Sequence, residues 1–190
     1  MKKIILSLVF FVLSTVCSVH AGEREFVYRS ILKVKQHRTY VYDQMGKNEM
    51  IYYGKRIGRA DDLGNTLAAL PGVESSYGKH RIGDHGKAYG ITQMHAPTAR
   101  YIINNLMDIP VNLTDREIRL LLTYNDKAAM ILSKYYMNYL IHNFNHKERP
   151  WRHAVLAYNF GMTNVKKYGL SKDPMNYLGK IKKQLFEIMG

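Results

Sequence analysis

Glu74 lies where an apolar segment gives way to a glycine-rich stretch. The run Leu67-Ala68-Ala69-Leu70-Pro71 precedes it, and the residues after it include Gly78, Gly83, Gly86 and Gly90. Apolar neighbours disfavour the charged form of a carboxyl group and raise its pKa, while a flexible loop leaves room for a substrate. This setting predicts a general acid, and the alternative interpretation is a solvated glutamate on a polar helix face.

Helical periodicity leads into and away from this glutamate. From Asp61 the residues Leu63, Leu67 and Leu70 fall on one face, and Pro71 limits the regularity of the last turn. The glycines that follow predict loops or a small hairpin near residues 78–92. A second helix is expected from about Pro97 to Met107.

The strongest helix signal lies further along the chain. Thr114 and Glu117 form a capping box, and one long core helix is predicted after it. Its apolar face would comprise Leu121, Tyr124, Ala128, Ile131, Tyr135 and Tyr139. Further helices are expected from Pro150 to a stop at Gly161 and from Pro174 to Met189. The fold class is therefore mainly α, in one compact domain with a small loop or β region.

The N-terminal residues predict export. Lys2 and Lys3 precede an apolar run and a small-residue stretch, which is typical of a signal peptide over residues 1–21. A membrane anchor is the alternative, but the apolar run is shorter than the ~20 residues that cross a bilayer, so we expect no stable membrane span. Residues 22–60 lack a sustained period, which indicates a short helix plus irregular structure forming an N-terminal extension on a 61–190 domain.

The cysteine content indicates the cellular compartment, and the net charge indicates the kind of partner that the protein binds. The only cysteine, Cys17, falls within the predicted signal peptide, which suits an exported protein of a bacterial periplasm or cell envelope. The formal net charge is +13, or +11 without Lys2 and Lys3, and favours an anionic partner. Export excludes nucleic acid as the expected partner and leaves an acidic membrane surface or a cell-wall polymer.

Three ordered motifs give a more specific indication. They are "ESSYG" (74–78), "GKAYGITQMHAPTA" (86–99) and "AVLAYNFG" (154–161), the last followed by "NV" at 164–165. In order and spacing they resemble the motifs of lytic transglycosylases of the soluble, lysozyme-like (SLT) type. The resemblance covers about residues 61–170. It implies a lysozyme-like catalytic domain that cleaves peptidoglycan glycan strands without a cofactor.

The resemblance also implies roles for individual residues. Glu74 would be the catalytic acid, and Ser75 would position it or the sugar. Gln93 and Tyr158 would line the cleft, with Tyr158 holding either Glu74 or the acetamido group of the substrate. Asn159 would fix the turn that presents Tyr158. The single glutamate would cleave the β-1,4 bond between N-acetylmuramic acid and N-acetylglucosamine, since the 6-hydroxyl of the sugar supplies the nucleophile and a 1,6-anhydro end results.

Two residues leave alternatives open. His95 stands where the family pattern has methionine; it is either a ligand for a substrate hydroxyl or, as we favour, a half-exposed histidine. The stretch "GDHGKAYG" (83–90) is also similar to the loop of goose-type lysozymes, which hydrolyse the same bond with water. An inverting hydrolase needs a second carboxylate about 6.5–9.5 Å from the acid, which would be Asp84. A turn-forming Asp84 that caps a loop amide is favoured, and with it the transglycosylase.

Two other interpretations, a non-catalytic binding module and a metal-binding protein, have less support in the sequence. A non-catalytic exported module that grips the cell wall, within a secretion, conjugation or other envelope-spanning apparatus, would suit the basic charge and the 15 tyrosines. The combination of Glu74, Gln93 and Tyr158 argues against it. His80, His85 and His95 lie close together around Asp84, but no zinc-type spacing is present, so no metal site is expected.

Overall fold

Helices dominate the structure, a computed structural model that describes residues 21–36 and 43–190. In chain order the helices are α1 (21–35), α2 (Lys47–Ile57), α3 (Gly64–Ser75), α4 (Ala96–Tyr101), α5 (Asp115–Tyr124), α6 (Asp126–Asn143), α7 (Pro150–Phe160), α8 (Met162–Tyr168) and α9 (Tyr177–Met189). A short π-helical segment, Ile102–Leu106, extends α4. The predicted mainly α, lysozyme-like fold with a small β region is confirmed.

The small β region is a three-stranded antiparallel sheet with the order β1-β2-β3, made of Ile82–Gly83, Ala88–Tyr89 and Met94–His95. It occupies the stretch predicted to hold loops or a hairpin. Gly90 follows β2 with φ 77°, and a Cβ there would lie 2.1 Å from the Leu122 carbonyl oxygen. The sheet therefore approaches the backbone of α5 at a position that only glycine can occupy.

The N-terminal segment is more helical than expected. The described residues before 61 contain α1 and α2 where the sequence indicated one short helix and irregular structure. Helix α2 packs on α3 through glycine: a Cβ on Gly54 would lie 2.6 Å from the backbone nitrogen of Ala68. A glycine contact contributes no apolar signal to the sequence, so the buried face of α2 is reduced to Met50, Tyr53 and Ile57.

Helix α3 carries Glu74 in its last turn, as predicted. Its residues from Thr66 to Pro71 are buried, and Pro71 lies inside the helix without ending it. After Ser75 the chain passes through Ser76, Tyr77 and Gly78, all with positive φ. This left-handed stretch reverses the chain at the helix end and directs it toward the sheet.

The single long helix predicted after Thr114 is wrong, because the structure has two helices there. The capping box is present, with Thr114 accepting from the Glu117 backbone N–H, but α5 ends at Tyr124. Asn125 leaves helical geometry (φ −126°, ψ 91°), and its side chain caps α6 by accepting from Ala128 N at 2.9 Å.

The break between α5 and α6 is stabilised by a segment that is distant in the sequence. The backbone of Asp43 inserts beside it, donating to the Tyr124 carbonyl at 3.2 Å and accepting from Asp126 N at 3.1 Å. These two bonds satisfy backbone groups that a continuous helix would have paired internally. The interruption therefore depends on chain more than 80 residues earlier.

The C-terminal helices close the fold around α3. Helix α7 ends before Gly161, whose φ of 86° suits glycine, as predicted. Helix α9 forms within the predicted tail and packs on α3 and α7. Across the described ranges, no helix has the length and apolar character needed to span a bilayer. The predicted signal peptide concerns residues 1–21, of which 1–20 lie outside the described residues.

Candidate active site

A groove of about 600 Å³ opens between the sheet, α3 and α7. It gathers six of the seven residues singled out from the sequence: Glu74, Asp84, Gln93, His95, Tyr158 and Asn159. Residues that are more than 80 positions apart in the chain thus share one cavity. Ser75 is the member that does not line it.

The carboxyl group of Glu74 is held in a state that suits proton transfer near neutral pH. Glu74 is partly exposed where it borders the groove. Burial of its carboxyl group is nevertheless the largest influence on its pKa, which it raises from 4.5 to about 7. A hydrogen bond from Tyr177 and the charge of Lys180 act in the opposite direction and are smaller. Near pH 7 the group can therefore both donate and accept a proton.

Tyr177, which the sequence analysis did not single out, makes the direct contact with this carboxyl group. Its hydroxyl donates to Oε1 of Glu74, and the side chain is buried. Asp173 positions it by accepting from the backbone N–H groups of Tyr177 and Leu178 at 2.6 and 2.9 Å. The Asp-Pro pair at 173–174 signals a helix start, but nothing local indicates that α9 returns to α3.

Tyr158 is fixed in the wall of the groove instead of being bonded to Glu74. Its hydroxyl donates to the Thr92 carbonyl at 3.1 Å and lies 2.9 Å from the Ser133 hydroxyl. Burial and the nearby charge of Glu74 raise its pKa, so it stays protonated. Of the two expected roles, the contact with Glu74 is taken by Tyr177, and the contact with a substrate acetamido group stays a proposal.

Ser75 acts on the backbone around Glu74. It is 1% exposed, and its hydroxyl lies 2.8 Å from the Ile91 carbonyl oxygen and accepts from Gly78 N at 2.9 Å. These bonds tie the end of α3 to the turn between β2 and β3. The residue is placed to position Glu74 and is out of reach of a sugar in the groove.

Gln93 builds the turn that forms one edge of the groove. It has φ 48°, and its side-chain nitrogen donates to the carbonyls of Gly90 and His80 at 2.8 and 3.1 Å. A Cβ on Gly83 would lie 2.1 Å from the Gln93 side-chain oxygen, so a larger residue at position 83 would displace this amide. Gln93 therefore both borders the cavity and holds its shape.

Asp84 and His95 form a pair on the rim. The carboxylate Oδ2 of Asp84 lies 3.3 Å from Nε2 of His95, and the side chains are 49% and 47% exposed. Asp84 adopts φ 46°, as a turn residue does, but its carboxylate faces His95 and not the loop amide expected from the sequence. The Asp84 backbone carbonyl, in contrast, accepts from Lys87 N within that turn.

Asn159 lies exposed at the rim of the groove. The turn after α7 is held instead by Asn164, whose side-chain nitrogen donates to the Phe160 carbonyl at 2.8 Å. Within residues 21–36 and 43–190, no three histidine, cysteine or acidic side chains are grouped closely enough to hold a metal ion. The histidines near Asp84 thus form no such cluster there.

Comparison with known protein families gives a match that covers most of the fold described above. The family model for the transglycosylase SLT domain matches residues 52–177, well over half of the chain. The matched region starts within α2 and ends at Tyr177, the residue bonded to Glu74. No curated protein and no solved structure matches the chain significantly.

Proposed function

The chain belongs to the transglycosylase SLT domain family, the lytic transglycosylases of peptidoglycan, and we propose that it cleaves the β-1,4 bond between N-acetylmuramic acid and N-acetylglucosamine and leaves 1,6-anhydromuramic ends. The observation that carries this proposal is Glu74: a carboxyl group at the edge of a groove, with an uncharged hydrogen-bond partner and a pKa of about 7. An acid with that pKa is partly protonated in the neutral range.

In the first step the Glu74 carboxyl group donates its proton to the glycosidic oxygen as the bond to C1 of muramic acid breaks. The acetamido oxygen of the same sugar stabilises the electron-deficient C1. In the second step the Glu74 carboxylate accepts the proton of the 6-hydroxyl, and O6 bonds to C1. One carboxyl group serves both steps, so no second protein carboxylate is required.

The neighbouring residues support these steps by fixing geometry. The Tyr177 hydroxyl donates to Glu74 and so stabilises the carboxylate left after the first proton transfer. Tyr158, locked by Thr92 and Ser133, presents a fixed phenol near Glu74 on which the acetamido group can rest. Gln93 keeps the opposite edge of the groove in place.

Hydrolysis is the second candidate reaction, because Asp84 lines the same groove and is paired with His95. A carboxylate in that position, with its partner, would activate a water molecule on the far face of the sugar. The products differ: hydrolysis leaves a reducing muramic end, and transglycosylation leaves an end short of one water.

Digestion of purified sacculi followed by mass spectrometry of the muropeptides tests the proposal. We expect anhydro products from the wild-type protein and none from Glu74→Gln, which keeps the shape of the side chain but cannot donate a carboxylic proton. Reducing ends would overturn the transglycosylase assignment in favour of hydrolysis. Equal digestion by Glu74→Gln would remove Glu74 as the acid, and no digestion by the wild type would favour a non-catalytic wall-binding module.

This activity requires a location outside the cytoplasm, and we propose export to the periplasm or cell envelope through the segment 1–21. Residues 22–60 would then be an N-terminal extension packed on the 61–190 domain, and the close packing of α2 on α3 supports that placement. A secretion, conjugation or other envelope-spanning apparatus is a candidate partner for a wall enzyme of this size.

A further inference from the structure

Helices α4 and α6 carry tyrosines just beyond the residues that line the groove. Thr98 on α4 and Tyr136 on α6 line the groove, and each is followed three residues later by a tyrosine, Tyr101 and Tyr139 respectively. Residues three apart share a face of a helix, and the second lies about 4.5 Å further along its axis. The outer pair therefore continues the surface that the inner pair begins.

The aromatic rings on these helices form a continuous row. Starting beside the proposed catalytic acid, Tyr158 contacts Tyr136 with ring centroids 5.6 Å apart. Tyr136 stacks on Tyr139 at 6.4 Å with an interplanar angle of 16°, and Tyr139 meets Tyr101 edge-on at 5.6 Å. The row thus runs from a partly buried tyrosine in the groove wall to Tyr101, which is 41% exposed. We call these four residues the tyrosine row.

The outer rings of the tyrosine row differ from other tyrosines of the protein. Lys or Arg side chains lie over the rings of Tyr53, Tyr77, Tyr89 and Tyr168. In the part of the chain that the structure describes, no such cation lies over Tyr101, Tyr136 or Tyr139. Their rings contact one another, and at Tyr101 the row reaches solvent.

We infer that the tyrosine row is an additional sugar-binding subsite, which holds the glycan strand beyond the residues that flank the cleaved bond. This inference rests on the proposed function, because it assumes that a glycan lies in the groove. In β-1,4-linked N-acetyl sugars the axial C–H groups form apolar faces, and the apolar faces of tyrosine rings can pack against them. Contacts of this kind recognise an uncharged sugar backbone and need no anionic group.

The binding test uses Glu74→Gln, which leaves the substrate intact, with peptide-free glycan strands and a short muramic acid-containing tetrasaccharide as probes. We expect Tyr101→Ala and Tyr139→Ala in this background to weaken binding of long strands roughly 3- to 10-fold, and to change tetrasaccharide binding little. Tyr101→Phe keeps the ring and should retain binding. Tyr52→Ala, which removes an exposed tyrosine of α2, is the matched control.

Salt dependence separates stacking from charge attraction. Binding driven by the net positive charge weakens as salt is added, whereas the loss caused by Tyr101→Ala should stay the same from low to high ionic strength. Long-strand binding unchanged in both alanine variants, or an equal loss for both probe lengths, would overturn the subsite. A failure of the proposed function gives a different result from a failure of the subsite. In that case the wild-type protein makes no anhydro ends, while the length-dependent differences in binding between the variants persist.

Discussion

Glu23 and Glu74 are each bonded to a buried side chain, and these two partners differ in charge. Glu23 on α1 contacts the Nζ of Lys134 at 2.9 and 3.1 Å, and Asp61 lies 3.2 Å from the same nitrogen. Lys134 is completely buried. Glu74 is bonded instead to the neutral hydroxyl of Tyr177. A charged partner holds a buried carboxylate in its ionised form, whereas a neutral partner leaves its proton available for chemistry.

Asp126 is a further buried carboxylate with a cationic partner. Its side chain is fully buried and accepts two bonds from Arg81, at 2.6 and 3.0 Å, and a third from Met45 N at 2.8 Å. It lies outside the groove, and its bonds secure the loop that follows Glu74. The carboxylates of Glu23, Asp61 and Asp126 have cationic partners and hold the fold together, whereas the carboxyl group of Glu74 is bonded to a neutral hydroxyl.

The largest effect should come from removing the proton of Glu74. As general acid–base groups contribute about 10²- to 10⁴-fold, Glu74→Gln should lower the rate of sacculus digestion by about that factor. Its fold should be unchanged, because Gln keeps an oxygen that can accept from Tyr177. Turnover is measured by release of soluble muropeptides, with the exposed Glu148→Gln as the control. A loss under tenfold would place the proton donor elsewhere.

Removing the charge of Lys134, the partner of Glu23 and Asp61, should lower the stability of the protein and leave its catalytic activity intact. Lys134→Met would enclose the carboxylates of Glu23 and Asp61 without compensation, which should lower the free energy of unfolding by about 3–5 kcal/mol. Urea denaturation measures this loss, while the rate per folded molecule should stay near that of the wild type. Lys127→Met is the matched control, because its pair with Asp43 is partly exposed and should cost about 1 kcal/mol or less.

A combined variant sharpens the result for Lys134. Adding Glu23→Gln and Asp61→Asn to Lys134→Met removes the uncompensated charges and should restore part of the lost stability. If Lys134→Met alone were as stable as the wild type, the buried cluster would have no part in holding α1 on the domain.

The difference between the two sites could be predicted only in part from the sequence. Glu74 stands out because an apolar run and a glycine-rich stretch flank it within a few residues, and both features are local. Lys134 carries no such signal, since it falls within a helix whose neighbouring tyrosines and leucines supply the pattern. Its burial depends on α1 and on the loop containing Asp61, which only the tertiary structure brings together.

The same distinction between local and long-range signals explains which other features of the fold were predicted correctly and which were not. The capping box at Thr114 and the stop at Gly161 depend on adjacent residues and are confirmed. The break at Asn125 depends on the backbone of Asp43, and the apolar spacing of three and four continues through it unchanged. Tyr177 lies within a helix that was predicted, but its contact with Glu74 joins residues 103 positions apart.

Glu74 should also make the stability of the wild type depend on pH. Its folded-state pKa of about 7 exceeds the ordinary 4.5, so between these values the unfolded chain binds fewer protons and stability falls as pH rises. Glu74→Gln does not titrate. It should match the wild type at pH 4 and exceed it above pH 7 by up to about 3 kcal/mol. Urea melts of both proteins from pH 4 to 8 measure this difference, and a constant gap would contradict the raised pKa.

The smallest effect should follow from removing the Tyr177 hydroxyl, which donates a hydrogen bond to Glu74. Because the bond from Tyr177 lowers the pKa of Glu74, Tyr177→Phe should raise that pKa further above about 7. The acid must be protonated to act, so the basic limb of the kcat/KM profile should move to higher pH in the variant. Profiles on soluble glycan strands measure the limb, with Tyr52→Phe as the control. A purely structural tyrosine would lower the melting temperature and leave the limb in place, and a shift to lower pH would reverse the assigned role of this hydrogen bond.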